Sequence, residues 1–229
     1  YIKTGKHNKF LTLFDDPDPF NPDSQLWKSF IQPVFEDPKM RKIFQENAWR
    51  PIMTDFPERV IPCQYIISHY FREKPVTIVD VGAGLNIASP LLNSPLAIKT
   101  DFIGREGISN YAQNVTVKLG VGFDKQDGRS DLDWPRSSIW PIQINRSRVE
   151  QFDDLVLPIS KQQTKEFPPL ILADITDPNC REIIKNASGI DSFDIVLSSY
   201  VKQYISDQRI YDLTVLQLLR DDGILIETG

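Results

Sequence analysis

The chain has 229 residues, of which 41% are hydrophobic and 25% are charged, and its net charge is −5 at pH 7. This length is enough to bury the core of one large α/β domain, and the composition is typical of a globular protein. The acidic balance disfavours non-specific nucleic-acid binding, although a local basic groove is not excluded. No apolar run in the sequence is long enough to cross a bilayer, and no leader-like segment opens the chain. We therefore expect a cytoplasmic protein.

Cysteines and histidines are few. Cys63 and Cys180 are the two cysteines, and His7 and His69 are the two histidines. Their spacing matches no zinc signature, so the sequence predicts no metal site. The cysteines are expected to be reduced thiols, as is usual in the cytosol.

The N-terminal region has a helical pattern. Residues 15–23 are rich in proline and aspartate and cannot form the interior of a helix. Beyond them, Ser24 and Asp37 are typical N-caps, each followed by helix-forming residues. A third helical pattern covers residues 57–71, where Pro62 lies in the first turn or breaks the helix.

The pattern changes at residue 75. The run VTIVDV is typical of a strand that is buried on both faces of a parallel sheet. Further strand-like runs cover residues 116–123, 169–174, 193–199 and 223–229, and helical patterns cover 146–156, 179–187 and 207–220. This alternation predicts βαβ units, and hence a mostly parallel sheet with helices on both faces. We predict two domains, a helical extension over residues 1–74 that packs on the core and an α/β domain over residues 75–229.

A glycine-rich loop follows the first predicted strand, in VDVGAGLNIASPLL. Asp80 ends the strand, and Gly82 and Gly84 come after it. Glycine lets the backbone turn sharply and approach a ligand, and the N–H groups at the start of the next helix then face that ligand. The loop resembles motif I of the class I S-adenosylmethionine-dependent methyltransferases, Asp/Glu-x-Gly-x-Gly-x-Gly, with Asn86 at the third glycine. Asparagine tolerates the left-handed backbone better than most residues, so this departure is mild.

The resemblance implies a Rossmann-like, doubly wound α/β fold that binds S-adenosyl-L-methionine. A dinucleotide-binding loop is the main alternative, but it requires its third glycine at the position of Ile87. The acid before the first glycine, Asp80, also favours the methyltransferase pattern.

Later segments resemble further motifs of the same family. PLILADITDP has Asp174 at the end of a strand, where the family places the acid that accepts from the adenine amino group. SFDIVLSSY resembles motif IV, and LLRDDGILIETG resembles the helix, turn and strand that follow it. The order of these motifs agrees with the family over residues 75–229. The residues that we predict to bind the cofactor are Asp80, Gly82, Ala83, Gly84, Asp124, Asp174, Ile175, Ser198 and Ser199.

The acid that binds the ribose is predicted less directly. Glu106 has the usual spacing of about 20 residues from the loop, whereas Asp124 ends the more regular strand, VKLGVGF. We favour Asp124, which makes residues 93–114 an insertion and places strand two at residues 115–123, beside the glycine-loop strand.

A narrower resemblance involves the segments DLDWPRSSIWPIQINRSR and SSYVKQYIS. Both are similar to an uncharacterised, methyltransferase-like bacterial family for which no substrate is known. Trp134 and Trp140 are expected to anchor an irregular connection or to line a substrate wall. Residues 200–204 follow strand four, and they either contact substrate or cofactor or form an exposed turn.

The predicted reaction is methyl transfer from S-adenosylmethionine to a small molecule or a protein side chain. The sequence has no Gly-x-Ser-x-Gly elbow, Walker loop or Asn/Asp-Pro-Pro-aromatic tetrad. No catalytic base is identified, and Glu227 and His69 are the candidates. The family's sheet has seven strands, whereas this chain ends with the fifth. The alternatives are therefore a non-catalytic module of a larger protein and a nucleotide-dependent oxidoreductase.

Overall fold

The computed structural model describes residues 36–47, 60–72, 74–93, 115–137, 146–161, 164–199 and 201–228. The chain divides into two compact units, one formed by residues 1–54 with 133–152 and the other by residues 55–132 with 153–229. The domain boundary after residue 74 stays a prediction. The helix predicted to follow Ser24 lies outside the described residues.

The described helices are α1 (Pro38–Asn47), α2 (Val60–Phe71), α3 (Ala88–Leu92), α4 (Asp133–Ser137), α5 (Arg146–Gln151), α6 (Leu157–Lys161), α7 (Cys180–Ser188) and α8 (Gln208–Leu218). A π-helical turn, Phe152–Val156, joins α5 to α6. Asp37 caps α1 as predicted, because its carboxylate accepts from the backbone N–H groups of Lys39 at 2.8 Å and Met40 at 3.4 Å. Pro62 lies in the first turn of α2, where a missing N–H costs little.

The described strands are β1 (Val76–Val81), β2 (Val117–Asp124), β3 (Ile171–Leu172), β4 (Phe193–Ser199) and β5 (Leu219–Thr228). They form one sheet in the order β3-β2-β1-β4-β5, and every pairing is parallel. This topology confirms the predicted Rossmann-like α/β sheet. No helix in the described ranges is long and apolar enough to span a membrane.

Strand β3 is much shorter than predicted. It covers only Ile171–Leu172, so Asp174 lies in the loop beyond the strand and not at its end. Two prolines, Pro168 and Pro169, precede the strand and cannot donate backbone hydrogen bonds to a neighbour. A short strand at the edge of the described sheet is the result.

Strand β5 begins earlier than predicted. It starts at Leu219, directly after α8, and the turn expected over residues 221–223 is absent. The register shows a bulge in its place, since Phe193 pairs with Leu219 whereas Ile195 pairs with Ile224. The residues between Leu219 and Ile224 bulge out of the pairing with β4 at the amino end of β5. The sequence pattern had suggested a turn between helix and strand at this position.

Helices cover both faces of the sheet. Val121 and Phe123 of β2 belong to the core cluster that α7 and α8 complete. The alternate residues of the same strand, Gly120 and Gly122, face the opposite way, and Gly120 lies against Ser89 of α3. The core therefore sits between the sheet and α7–α8 on one face. The second face is covered by α3.

Helix α2 packs on this second face. The Gln64 side-chain amide donates to the carbonyl oxygens of Leu91 at 3.3 Å and Leu92 at 3.0 Å. Gln64 is fully buried, and these bonds satisfy its amide nitrogen, whereas its Oε1 atom is buried without a hydrogen-bond partner among the described residues. They attach a helix of the predicted extension to the α/β core.

The two cysteines predict a loss of stability at alkaline pH. Neither of these two cysteines is part of a disulfide, and both are buried. Burial raises the pKa of Cys63 from 9.0 to about 11, with the charge of Asp80 as the second cause. Burial likewise raises the pKa of Cys180 from 9.0 to about 12. Between pH 9 and 11 the unfolded chain therefore releases protons that the native chain keeps, and the free energy of unfolding must fall as the pH rises.

Urea denaturation at several pH values tests this expectation. The fall between pH 9 and 11 should be smaller in Cys63→Ala than in the parent chain. An identical pH profile for the two proteins would show that the buried thiol does not contribute.

Candidate functional site

The strand order marks one edge of the sheet as the place for a ligand. From β1 the chain proceeds to β2 on one side, and from β4 it proceeds to β5 on the other side. Loops that leave neighbouring strands in opposite directions open a crevice at the carboxyl ends of the strands. The loop after β1, the end of β2 and the end of β4 meet at this position.

The glycine loop has the backbone that its sequence predicts. Gly82, Gly84 and Asn86 have positive φ angles of 65°, 55° and 57°. Asn86 is held in this conformation by its side-chain amide, which donates to the carbonyl of Pro168 at 3.2 Å. The substitution of asparagine for the third glycine of the motif is therefore accommodated without a change in backbone conformation.

Gly82 contacts another part of the protein. A Cβ atom on this residue would collide with Cγ2 of Val201, the second residue after β4. The sequence suggested that glycine here keeps space clear for a ligand. The structure shows that glycine here also lets the β1 and β4 loops pack together, and the predicted contact of Gly82 with a cofactor is untested.

Asp124 lies at the end of β2, next to the glycine loop. One carboxylate oxygen accepts from the Gly84 N–H at 3.1 Å, and the other accepts from the Gln126 N–H at 3.2 Å. The pairing of β2 with β1 confirms that strand two lies beside the glycine-loop strand. Glu106, the alternative acid, is outside the described residues. The ribose-binding role of Asp124 stays a prediction.

Two glycines of β2 were not identified from the sequence as site residues. A Cβ on Gly122 would overlap Oδ1 of Asn86 and lie 2.8 Å from Cβ of Ala83. A Cβ on Gly120 would overlap Ser89. Glycine inside a strand often marks the close approach of another backbone, and the Gly-x-Gly pattern of β2 is the signal that was missed.

Asp80 and Ala83 are both largely buried, each at 6% exposure. The Ala83 N–H donates to the carbonyl of Phe123 at 3.0 Å. The carboxylate of Asp80 lies near enough to the Cys63 thiol for its charge to raise the pKa of that thiol. A buried carboxylate thus lies near the Cys63 thiol, two residues before the first glycine of the loop.

Asp174 and Ile175 follow β3. The Asp174 carboxylate accepts from the N–H of Thr176 at 2.9 Å and from its hydroxyl at 2.7 Å. The N–H of Thr176 is the main reason why the pKa of Asp174 is lowered, and the hydroxyl is the second. Asp174 is exposed and open to a further donor, whereas Ile175 is buried in the core cluster.

Ser198 and Ser199 end β4. The Ser198 hydroxyl is buried and accepts from the phenol of Tyr211 at 2.6 Å, and burial raises the pKa of that phenol. The Ser199 hydroxyl accepts from the hydroxyl of Thr228 at 2.9 Å. Both serines therefore already take part in contacts to α8 and β5. Their predicted contact with a cofactor is untested.

The connection after β4 forms a short 3-10 turn, Lys202–Tyr204. Lys202 donates to Asp212 at 2.7 Å, and its ammonium lies 5.6 Å from the centre of the Tyr211 ring. Gln203 and Tyr204 are exposed. Tyr200, Trp140 and the side chain of Trp134 lie outside what the structure describes.

The two base candidates lie in different places. Glu227 pairs in register with Ser198 and so reaches the carboxyl edge of the sheet. His69 is exposed on α2, with its ring 5.8 Å from that of Tyr70. It lies six residues beyond Cys63, or about 9 Å further along the helix. Only Glu227 is brought to the site. In the described part of the chain, no group of three His, Cys, Asp or Glu side chains is arranged to hold a metal ion.

Comparisons with known proteins find similar solved structures at low sequence identity. No family model matches the chain, and no curated protein matches it. Similar solved structures include the rRNA methyltransferase aviRa from Streptomyces viridochromogenes, at 13% identity and a TM-score of 0.42 over 78% of this chain and 76% of that one. The plantazolicin methyltransferase BpumL, solved with SAH, has 18% identity and a TM-score of 0.39 over 86% and 55% of the two chains.

The CMeT domain of the citrinin polyketide synthase has 16% identity and a TM-score of 0.40 over 96% of this chain and 46% of that one. The chain thus spans about half the length of the plantazolicin and citrinin matches. Likeness at these identities concerns the fold and not the substrate. By its sheet order the chain has a Rossmann-like α/β fold, and the solved structures to which it is similar include methyltransferases.

Proposed function

We propose that this chain binds S-adenosyl-L-methionine and transfers its methyl group to a small molecule or a protein side chain. The observation that carries the proposal is the contact between Asp124 and the N–H of Gly84. It joins the carboxylate at the end of β2 to the glycine loop of β1, which is the arrangement expected of a nucleoside site in a Rossmann-like sheet.

The charges and hydrogen bonds of the site favour a cationic cofactor over a dinucleotide. S-adenosylmethionine carries a sulfonium and an ammonium group, whereas a dinucleotide carries an anionic pyrophosphate. Asp124 brings a carboxylate to the loop and Asp80 lies in the strand just before it, and such carboxylates attract cations and repel phosphates. The N–H of Gly84 already binds Asp124, so it is not free to cradle a phosphate.

The proposed roles follow from these positions. Asp124 has remaining lone pairs on both carboxylate oxygens and would accept from the ribose hydroxyls. Asp174 has one oxygen that does not bond Thr176 and would accept from the adenine amino group. Asp80 would face the cationic end of the cofactor. Methyl transfer is a displacement at carbon, so positioning of the acceptor supplies much of the rate.

Titration calorimetry tests the proposal directly. S-adenosylmethionine and S-adenosylhomocysteine are expected to bind, and NAD is not. Binding of NAD alone would favour the oxidoreductase alternative and overturn the proposal. Binding of S-adenosylmethionine without methyl transfer to any acceptor tried would support the alternative of a non-catalytic module.

Replacing Asp124 by asparagine gives a sharper test of the site. Loss of a charged acceptor should weaken S-adenosylhomocysteine binding by about 1–3 kcal/mol. The matched control is Asp221→Asn, which removes the same charge from an exposed position at the other end of the sheet. Equal affinities for the parent and Asp124→Asn, measured by calorimetry on folded protein, would show that Asp124 does not contribute to cofactor binding.

A further inference from the structure

Glu227 occupies a defined position beside the proposed cofactor site. It lies opposite Ser198 in the register of β4 and β5. Residues paired in this way point to the same face of a sheet, and Ser198 faces α8 because it binds Tyr211. Glu227 is therefore directed to the α8 face at the carboxyl end of β5, one strand away from the crevice between β1 and β4.

Lys202 is a described cation whose charge interacts with that of Glu227, and it already has a bonded partner. The ammonium of Lys202 donates to Asp212 at 2.7 Å, and this bond is the first cause of the raised pKa of Lys202. Glu227 lies opposite Ser198, whose partner Tyr211 has the Lys202 ammonium 5.6 Å from its ring centre, so Glu227 and Lys202 lie in the same part of the site. The charge of Glu227 contributes more weakly to the raised pKa of Lys202. Within the described residues, Glu227 forms no hydrogen bond or ion pair, and it is exposed. Among these described side chains, the carboxylates of Asp212 and Glu227 and the ammonium of Lys202 sum to a net negative charge.

An exposed tyrosine lies on the connection that follows β4. Tyr204 is 78% exposed at the end of the 3-10 turn that carries Lys202. Val201 and Ile205 pack against the core on either side of it, and the Tyr204 N–H donates to the carbonyl of Val201 at 3.0 Å. The backbone of this turn is thus fixed. An exposed aromatic ring on a fixed backbone can bind a planar or cationic group with little loss of conformational entropy.

We propose that Glu227 and Tyr204 bind the methyl acceptor, and that this acceptor carries an ammonium group together with an apolar or aromatic part. The inference rests on the proposed function, since it assigns the acceptor side of the same site. The ammonium pairs with Glu227, which forms no ion pair with a described cation, and the apolar part lies against Tyr204. An anionic acceptor is excluded by the same charge.

Two small probes of opposite charge test this proposal. The chain labelled with 15N is titrated with 2-phenylethylammonium chloride and, separately, with sodium phenylacetate, each in the presence of S-adenosylhomocysteine. The cation should shift the amide resonances of residues 202–204 and 226–228, and the anion should not. Glu227→Gln should weaken binding of the cation about two- to fivefold, the size expected for an exposed ion pair. Tyr204→Phe should keep the affinity, and Tyr204→Ala should lower it.

The control is Asp221→Asn, which changes the net charge equally at the amino end of β5. An equal loss of affinity in this variant, or equal shifts with phenylacetate, would overturn the assignment of Glu227. Titration without S-adenosylhomocysteine separates the inference from the proposed function. If that compound does not bind but the cation still shifts these amides through Glu227, the methyltransferase proposal fails while the binding surface stands.

Discussion

Replacing Asp194 by alanine is expected to lower the free energy of unfolding by about 1.5–3 kcal/mol, because it removes a buried carboxylate that accepts hydrogen bonds from β1 and pairs with an arginine of β5. The Asp194 side chain is only 7% exposed and pairs with Arg220 of β5. It also accepts from the N–H of Thr77 at 2.6 Å and from its hydroxyl at 2.8 Å. Removal of this carboxylate takes away the acceptor of the Thr77 N–H and hydroxyl on β1, and it leaves Arg220 of β5 with Asp222 as its remaining acidic partner among the described residues.

Urea denaturation of two variants checks this expectation. Asp222→Ala is the matched control, because Asp222 also binds Arg220 but is exposed, and it should change stability by less than about 1 kcal/mol. The position of Asp194 is far from the glycine loop, so cofactor affinity in the folded Asp194→Ala protein should equal that of the parent. Similar stability losses in both variants would show that Arg220, and not the buried carboxylate, dominates this contact.

Gly122→Ala is expected to weaken cofactor binding more than tenfold and to destabilise the fold by about 1–3 kcal/mol. The added Cβ would overlap Oδ1 of Asn86 and approach Cβ of Ala83 to 2.8 Å. The loop must then move away from β2, and the contact between the Gly84 N–H and Asp124 is lost. One methyl group inside a strand thereby acts on the loop that precedes it by almost forty residues.

Calorimetry with S-adenosylhomocysteine and urea denaturation give the two readouts. Gly189→Ala is the control, since nothing lies within 4 Å of the Cβ it would add. Its backbone is left-handed, with φ at 73°, so alanine there should cost about 1 kcal/mol without any change in affinity. Unchanged affinity in folded Gly122→Ala would mean that the loop does not depend on its packing against β2.

The local pattern of the sequence predicted β1 and β4 residue for residue, because strands buried on both faces consist of continuous β-branched and apolar runs. It predicted the left-handed backbone at Asn86 for the same kind of reason, since few other residues adopt that conformation. The choice of Asp124 over Glu106 also rested on a local feature, the regularity of the strand that Asp124 ends, and the pairing of β2 with β1 agrees with it.

Features that depend on distant residues were not predicted. The length of β3, the start of β5 and the collision between Gly82 and Val201 each depend on a neighbour that is remote in the chain. The sequence around Arg220 is typical of a helix end and a turn. In the structure Arg220 belongs to β5, and its side chain forms an ion pair with Asp194 of β4. Secondary-structure propensity alone contains no information about such a distant partner.

By itself the sequence determined the fold class, the sheet strands of the core and the loop on which a cofactor would depend, since periodicity and glycine placement act over a few residues. The tertiary structure alone decided which side chains meet at the carboxyl edge. It turned Ser198 towards Tyr211, buried Ile175 in the core and left Glu227 without a bonded partner among the described residues. The physical reason is that a side chain's partners are set by strand order and register, which bring together residues separated by many positions in the chain.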